Sequence, residues 1–231
     1  MREIVFDTET TGLSPQNGDR LVEIGCVELY NRVETGRHFH AYINPGRPMP
    51  SEAEAVHGLT DVFLSDKPPF ELVCEELLAF IGDAPMVAHN AAFDFGFINH
   101  ELALVRREMV CMSRMVCTVA LARQRFPGAK HSLDALCTRF GVDRSLRVKH
   151  GALIDAQLLA QVYVELTGGR QIGLGLVAEI IEPEWASGPV APVPNAPRAM
   201  RPPRPHAPTE AELAAHAVFL AGIENPIWRR L

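Results

Sequence analysis

Ile4-Val5-Phe6-Asp7-Thr8-Glu9-Thr10-Thr11-Gly12-Leu13 runs from an apolar strand into two acids and a tight turn. β-Branched and aromatic residues at 4–6 suit a pleated, packed surface. Asp7 and Glu9 are two apart, so on a strand both carboxylates point to one face. Side by side they repel, which costs stability unless a cation sits between them. Hard divalent ions such as Mg2+ take oxygen ligands of this kind. Thr10, Thr11 and Gly12 let backbone approach a ligand closely, because glycine has no Cβ, and Leu13 offers an apolar contact. The same residues also fit a plain strand followed by a solvated acidic turn, and D-x-E alone is too short to choose.

Outward from this stretch, the chain reads as strands first and then mixed β and α. Strand-like runs span 3–7, 21–30 and 38–43, with Gly12, Pro15, Gly18 and Gly36 as turn formers between them. Their close spacing predicts an antiparallel meander. Ser51-Glu52-Ala53-Glu54 reads as a capping box opening a short helix that stops at Gly58. Helical spacing of apolar residues covers 70–81 and ends at Gly82. A short buried strand at 86–88 precedes a helix over 93–105. A strand plus helix follows over 116–126, then helices over 132–140 and 152–166, the last stopping at Gly168-Gly169.

Composition shifts beyond this α/β region. Nine of the 18 prolines lie between Pro183 and Pro208, a segment that predicts an extended, semi-rigid linker. Thr209-Glu210-Ala211-Glu212 is a second capping box, opening a helix over 211–221 whose apolar side is Leu213, Val218, Phe219 and Leu220. With Trp228 near the end, this element has no core of its own, and docking on a partner is the expectation; a frayed tail is the alternative.

The whole chain has 231 residues and a formal net charge of -6. Holding nucleic acid by phosphate neutralisation alone calls for a basic protein. A nucleic-acid substrate here therefore needs bound metals, local contacts or a tether. The five cysteines form no C-x-x-C pair and sit among apolar residues, as reduced thiols of a cytosolic protein do. Glu3 stands where a signal peptide starts its apolar core, and no apolar run approaches the ~20 residues of a membrane span.

Three further stations answer the opening acids. His89-Asn90-Ala91-Ala92-Phe93-Asp94 runs from a strand end into a helix, where Asp94 is either a ligand or an acid supporting the helix start. His150-Gly151-Ala152-Leu153-Ile154-Asp155 places a histidine before a helix and an acid in its second turn. The two share a pocket only if His150 sits on the loop and reaches back. His57-Gly58 forms a turn that could rim a pocket. Four acids at element ends, where α/β sheets place ligands, plus one histidine make the parts list of a two-metal phosphodiesterase, with the histidine taking a water's proton.

FDTETTGL, HNAAFDFGFI and HGALIDA resemble the three motifs of the DEDDh family of 3'→5' exonucleases. VHGLTDVFL, FPGAKHSLDALC and YVELTGG resemble, more narrowly, the proofreading (epsilon) subunits of bacterial DNA polymerase III. The resemblance implies a ribonuclease-H-like fold over residues 1–170, with a central mixed five-stranded sheet flanked by helices. A linker over 171–208 and a polymerase-docking segment over 209–231 would follow.

It implies that Asp7, Glu9 and Asp155 hold one divalent ion, Mg2+ or Mn2+, that Asp7 and Asp94 position a second, and that His150 is the general base. Thr10, Gly12, Leu13 and His57 match positions that hold the terminal nucleotide, and Phe93 one that packs against substrate. Gln171, Leu174 and Leu176 stand where the family carries a sliding-clamp motif, although a leucine replaces its usual final aromatic. Phe219, Leu220 and Trp228 are the candidate anchors on the polymerase alpha subunit. The implied function is removal of mismatched 3' ends of DNA in the cytoplasmic replisome. A DEDDh exonuclease for RNA and a non-catalytic stabilising subunit are the alternatives.

Overall fold

The structure, a computed structural model, describes residues 1–145, 147, 149–169 and 207–223. They fall into two compact units, one within Met1–Leu176 and one within Val177–Leu231. Gln171, Leu174, Leu176, Trp228 and most of the proline-rich span lie outside the described residues.

In the first unit, β1 (Arg2–Thr10), β2 (Leu21–Tyr30) and β3 (Val33–Tyr42) form the antiparallel meander, and β4 (Met86–Ala88) and β5 (Met115–Cys117) add in parallel. The sheet order is β3-β2-β1-β4-β5, so β1 is central. The helices are α1 (Ser51–His57), α2 (Asp61–Leu64), α3 (Phe70–Ile81), α4 (Ala92–Leu104), α5 (Thr118–Arg125), α6 (Leu133–Phe140) and α7 (Ala152–Leu166).

Strand β1 is buried on both faces, and its alternation sorts the whole domain. Ile4 and Phe6 belong to a core with Phe70, Leu77 and Ile81 of α3 and Phe95, Ile98 and Leu102 of α4. Val5 belongs to a second core with Leu136 of α6 and Leu159, Val162 and Tyr163 of α7. Because side chains alternate, Thr8 shares the face of α4, whereas Asp7 and Glu9 share the face of α7. Glu3, on that same face, accepts a hydrogen bond from Tyr163 Oη at 2.6 Å.

Gly25 lets α7 come close. It pairs with Asp7 across β1 and β2. A Cβ placed on it would stand 2.3 Å from the Leu153 backbone nitrogen and 2.5 Å from the Ala152 carbonyl carbon. The first turn of α7, which carries Asp155, therefore rests directly on the backbone of β2.

Several details depart from the sequence reading. β1 continues through Thr10, so both acids lie within the strand rather than at its end. β3 begins at Val33 rather than 38, because Asn31 and Arg32 both take positive φ and turn the chain tightly; Gly36 lies inside the strand. Ser51 is not a cap: Pro50 holds that position and no side chain caps α1. Asp155 falls in the first turn of α7 rather than the second. In the second unit, α8 (Glu210–Ala221) does open on the capping box of Thr209 and Glu212.

Gly25→Ala forces the α7 backbone off the sheet. We expect a loss of about 1–3 kcal/mol in urea unfolding, with nuclease activity falling further than stability alone explains because Asp155 moves. Unchanged unfolding would mean that α7 does not rest on Gly25.

Candidate active site

The site lies where β1 passes the start of α4 and the start of α7. Thr8 Oγ1 donates to Asp94 Oδ1 at 2.6 Å, locking the α4 acid to the strand. Arg20 grips the buried Glu101 of α4 with Nε and Nη2 at 2.7 and 2.8 Å, which fixes that helix against the start of β2. His150 sits on the loop before α7, half-exposed, and reaches back so that Nδ1 lies 3.2 Å from Asp155 Oδ2. Ligand atoms of Glu9, His150 and Asp155 come within 4.8 Å of one another. Asp94 and Asp155 are buried, each 3% exposed.

Two adjoining cavities share Thr8, Glu9 and Phe93 as a common wall. The first, of about 310 Å³, is lined by Asp7, Glu9, Asp94, Asp155 and His150, together with His89, Asp134 and Arg147. The second, of about 530 Å³, is lined by Thr10, Gly12, Leu13, His57 and Phe93. Leu13 projects into it with 86% of its surface exposed. His57 is buried; its Nδ1 accepts from the Leu59 amide at 3.0 Å, so a neutral ring carries its proton on Nε2. That Nε2 is buried with no hydrogen-bond partner. The acids and the pocket residues singled out in the sequence thus meet in two neighbouring cavities. Phe219 and Leu220, the candidate docking residues, lie in α8, in the other unit.

The family model described as Exonuclease matches residues 4–163. The chain belongs to this exonuclease family. It is 47% identical over 226 residues to the DNA polymerase III subunit epsilon of Rickettsia felis, covering 96% of this chain and 97% of that protein. It also resembles a solved structure of exonuclease X in complex with 5' overhanging duplex DNA. There the TM-score is 0.56 and the identity 28%, over 72% of this chain and 90% of that one. The nuclease domain of 3'hExo, a DEDDh family member bound to rAMP, shares the fold with a TM-score of 0.63 at 16% identity, over 72% of this chain and 91% of that one.

The electrostatics of the exonuclease site follow from packing acids into a sheet. Burial pushes the Asp7 carboxyl well above its usual range, and Asp94, Glu9 and Asp155 push it further. Glu9 rises from 4.5 to about 8, through burial first and then Glu23, its cross-strand neighbour on β2. Burial also raises Asp94, against the lowering effect of the bond from Thr8. Arg147 opposes these shifts at Asp7 and Glu9. Buried acids this close together gain from a further cation among them, and their hard oxygen donors fit divalent metal ions.

Sequence reasoning passed over several residues here. Arg147 clamps Asp155 by Nε to Oδ1 at 2.5 Å and Nη2 to Oδ2 at 2.7 Å. Glu23 is buried behind Glu9 and is met by His40 Nε2 at 2.8 Å. Gly25 had a readable signal, a lone glycine inside an apolar strand, which marks close backbone approach. Arg147 and Glu23 had none, since their partners are set by the tertiary fold.

An acid raised on folding binds more protons folded than unfolded, so its contribution to stability falls as pH rises between the two pKa values. For Glu9 that window runs from 4.5 to about 8. Burial lowers His57 and His89, whose contributions run the opposite way, so the useful readout is a difference. In chelator, Glu9→Gln should melt progressively higher relative to wild type as pH rises through the window. A constant gap in differential scanning calorimetry would show that Glu9 is not strained by its neighbours.

Proposed function

We propose that this 3'→5' exonuclease removes mismatched 3'-terminal nucleotides from DNA during replication, releasing nucleoside 5'-monophosphates by two-metal hydrolysis. The observation that carries the reading is the meeting of Asp7, Glu9, Asp94, Asp155 and His150 in one cavity that adjoins a second of nucleotide size. Asp7, Glu9 and Asp155 would hold one divalent ion, and Asp7 and Asp94 a second, Mg2+ or Mn2+. Such ions activate a water and stabilise the leaving oxygen of an in-line displacement.

The chain's own residues do the rest. His150, on the half-exposed loop beside Asp155, takes the proton of the attacking water, a contribution of ~10²–10⁴ in rate. Leu13 and Phe93 offer apolar surface to the terminal base. His57 closes the wall of that pocket beside the Thr10–Gly12 turn. Thr10 Oγ1 donates to the Gly12 carbonyl at 2.6 Å and so shapes the turn that the nucleotide lies against. A frayed 3' end enters such a site at lower cost than a paired one, because less unpairing is needed.

A chain of net charge -6 does not hold DNA by phosphate contacts alone. Its epsilon-subunit relatives support a place in the polymerase III core of the cytoplasmic replisome. Residues 209–231 would dock on the alpha subunit through Phe219, Leu220 and Trp228. Val218 and Phe219 of α8 are 77% and 63% exposed, whereas Leu220 is buried at 9%, so the exposed apolar side of the helix is Val218 and Phe219 rather than Leu220. Residues 171–208 would serve as the tether, with Gln171, Leu174 and Leu176 as a sliding-clamp contact. Tethering raises the effective concentration of the site at the primer end.

Three measurements test this. On a primer with a mismatched 3' end, Asp7→Ala should abolish hydrolysis while circular dichroism stays native; activity like wild type would remove Asp7 from the site. His150→Ala should lose on the order of 10²–10⁴ in the chemical step, less as pH rises and hydroxide becomes available. A pH-independent loss would deny it the role of base. A chain ending at Gly169 should degrade single strands normally but fail to co-elute with the alpha subunit. Co-elution would place the main contact on the catalytic domain.

A further inference from the structure

Arg147 reaches into the acid cluster from the loop before α7. Its guanidinium forks onto both oxygens of Asp155, and the same Nη2 lies 2.8 Å from His150 Nδ1. Nη1 reaches Asp134 Oδ1 in the first turn of α6 at 2.8 Å. The Arg147 side chain is 10% exposed and that of Asp155 4%, so the clamp is nearly dry. Bidentate, charge-assisted contacts of this kind are among the strongest hydrogen bonds a carboxylate makes.

Two consequences follow from the chemistry of these groups. First, guanidinium and a divalent ion seek the same Asp155 oxygens and repel each other there, so an ion binding at Asp155 weakens the hold of Arg147. Second, a guanidinium only donates, so His150 Nδ1 is the acceptor in their contact. With that lone pair engaged, a neutral ring carries its proton on Nε2. While Arg147 stands here, Asp155 is already paired with a cation and His150 Nδ1 is bonded to the same guanidinium.

We propose that Arg147 is an internal counter-cation of the acid cluster, a latch exchanged for a divalent ion at Asp155, and that His150, bonded to the same guanidinium, reports its departure. The inference rests on the reading of Asp7, Glu9, Asp94 and Asp155 as metal ligands. Asp134 keeps hold of Nη1 throughout, so the side chain swings aside rather than leaving the site. Asp134 is 54% exposed on its side chain, and Arg144 Nη1 also reaches it at 2.9 Å, so its outward position can receive the displaced charge.

The test is Mn2+ binding by isothermal titration calorimetry to the full chain, as wild type, Arg147→Met, Arg147→Lys and Asp7→Ala. Arg147→Met keeps much of the side chain's length and apolar body but offers no cation. We expect it to bind Mn2+ on the order of tenfold more tightly than wild type. Arg147→Lys, a point charge without the fork, should fall between them. A residue with only a structural role would weaken the site when removed, so tighter binding separates the latch from a brace. Equal or weaker Mn2+ binding by both variants, with native circular dichroism, overturns the latch. If wild type binds no more Mn2+ than Asp7→Ala, the metal-site reading fails first and the latch falls with it.

A second readout is independent of affinity and of variant folding. In long-range 1H–15N spectra of the wild-type protein, His150 Nδ1 should lose its bond from Arg147 and shift on addition of Mg2+. An Nδ1 signal that ignores saturating Mg2+ also overturns the latch.

Discussion

Strand β1 has to bury two faces at once, and everything in the catalytic domain is arranged around that constraint. One face belongs to α3 and α4, the other to α6 and α7. Side chains therefore leave the strand alternately toward the helix that carries Asp94 and the helix that carries Asp155. Thr8 bonds the first acid, and Asp7 and Glu9 face the second. A shift of one residue in register would send both strand acids to the wrong helix. Core packing and site assembly are thus one requirement, not two.

Bringing the acids together is unfavourable, and the fold supplies the means. Gly25 removes the side chain that would hold α7 away, so its first turn lies against β2 opposite Asp7. Arg20 and Glu101 anchor α4 at the other side. Burial above all, with the neighbouring acids adding to it at Asp7 and Glu9, makes Asp7, Glu9 and Asp94 hold their protons more tightly than free carboxyls do. A site strained in this way binds cations because it relieves its own charge by doing so.

Much of this was legible in the sequence where the pattern is local. The helices over 70–81 and 152–166, the strand over 86–88 and the capping box at Thr209 follow from periodicity, length and end signals, and they stand where those signals put them. The mixed sheet came from the family resemblance and is present. Local signals misled where two compete. Gly36 reads as a turn but sits in β3, because the Asn31-Arg32 turn closes the hairpin earlier. Ser51 resembles a cap, yet Pro50 already fixes the extended conformation before the helix. Arg147, Glu23 and the depth of Asp155 depend on which elements pack together, and no spacing along the chain encodes that.

The central claim is that β1, α4 and α7 hold four acids for two ions beside a nucleotide pocket. Crystals grown with Mn2+ and a nucleoside 5'-monophosphate, measured at the manganese edge, test it directly. The account predicts two anomalous peaks that share Asp7, one also touching Glu9 and Asp155 and the other facing Asp94, with the base lying against Leu13 and Phe93. A single peak, or peaks away from Asp7, would contradict it.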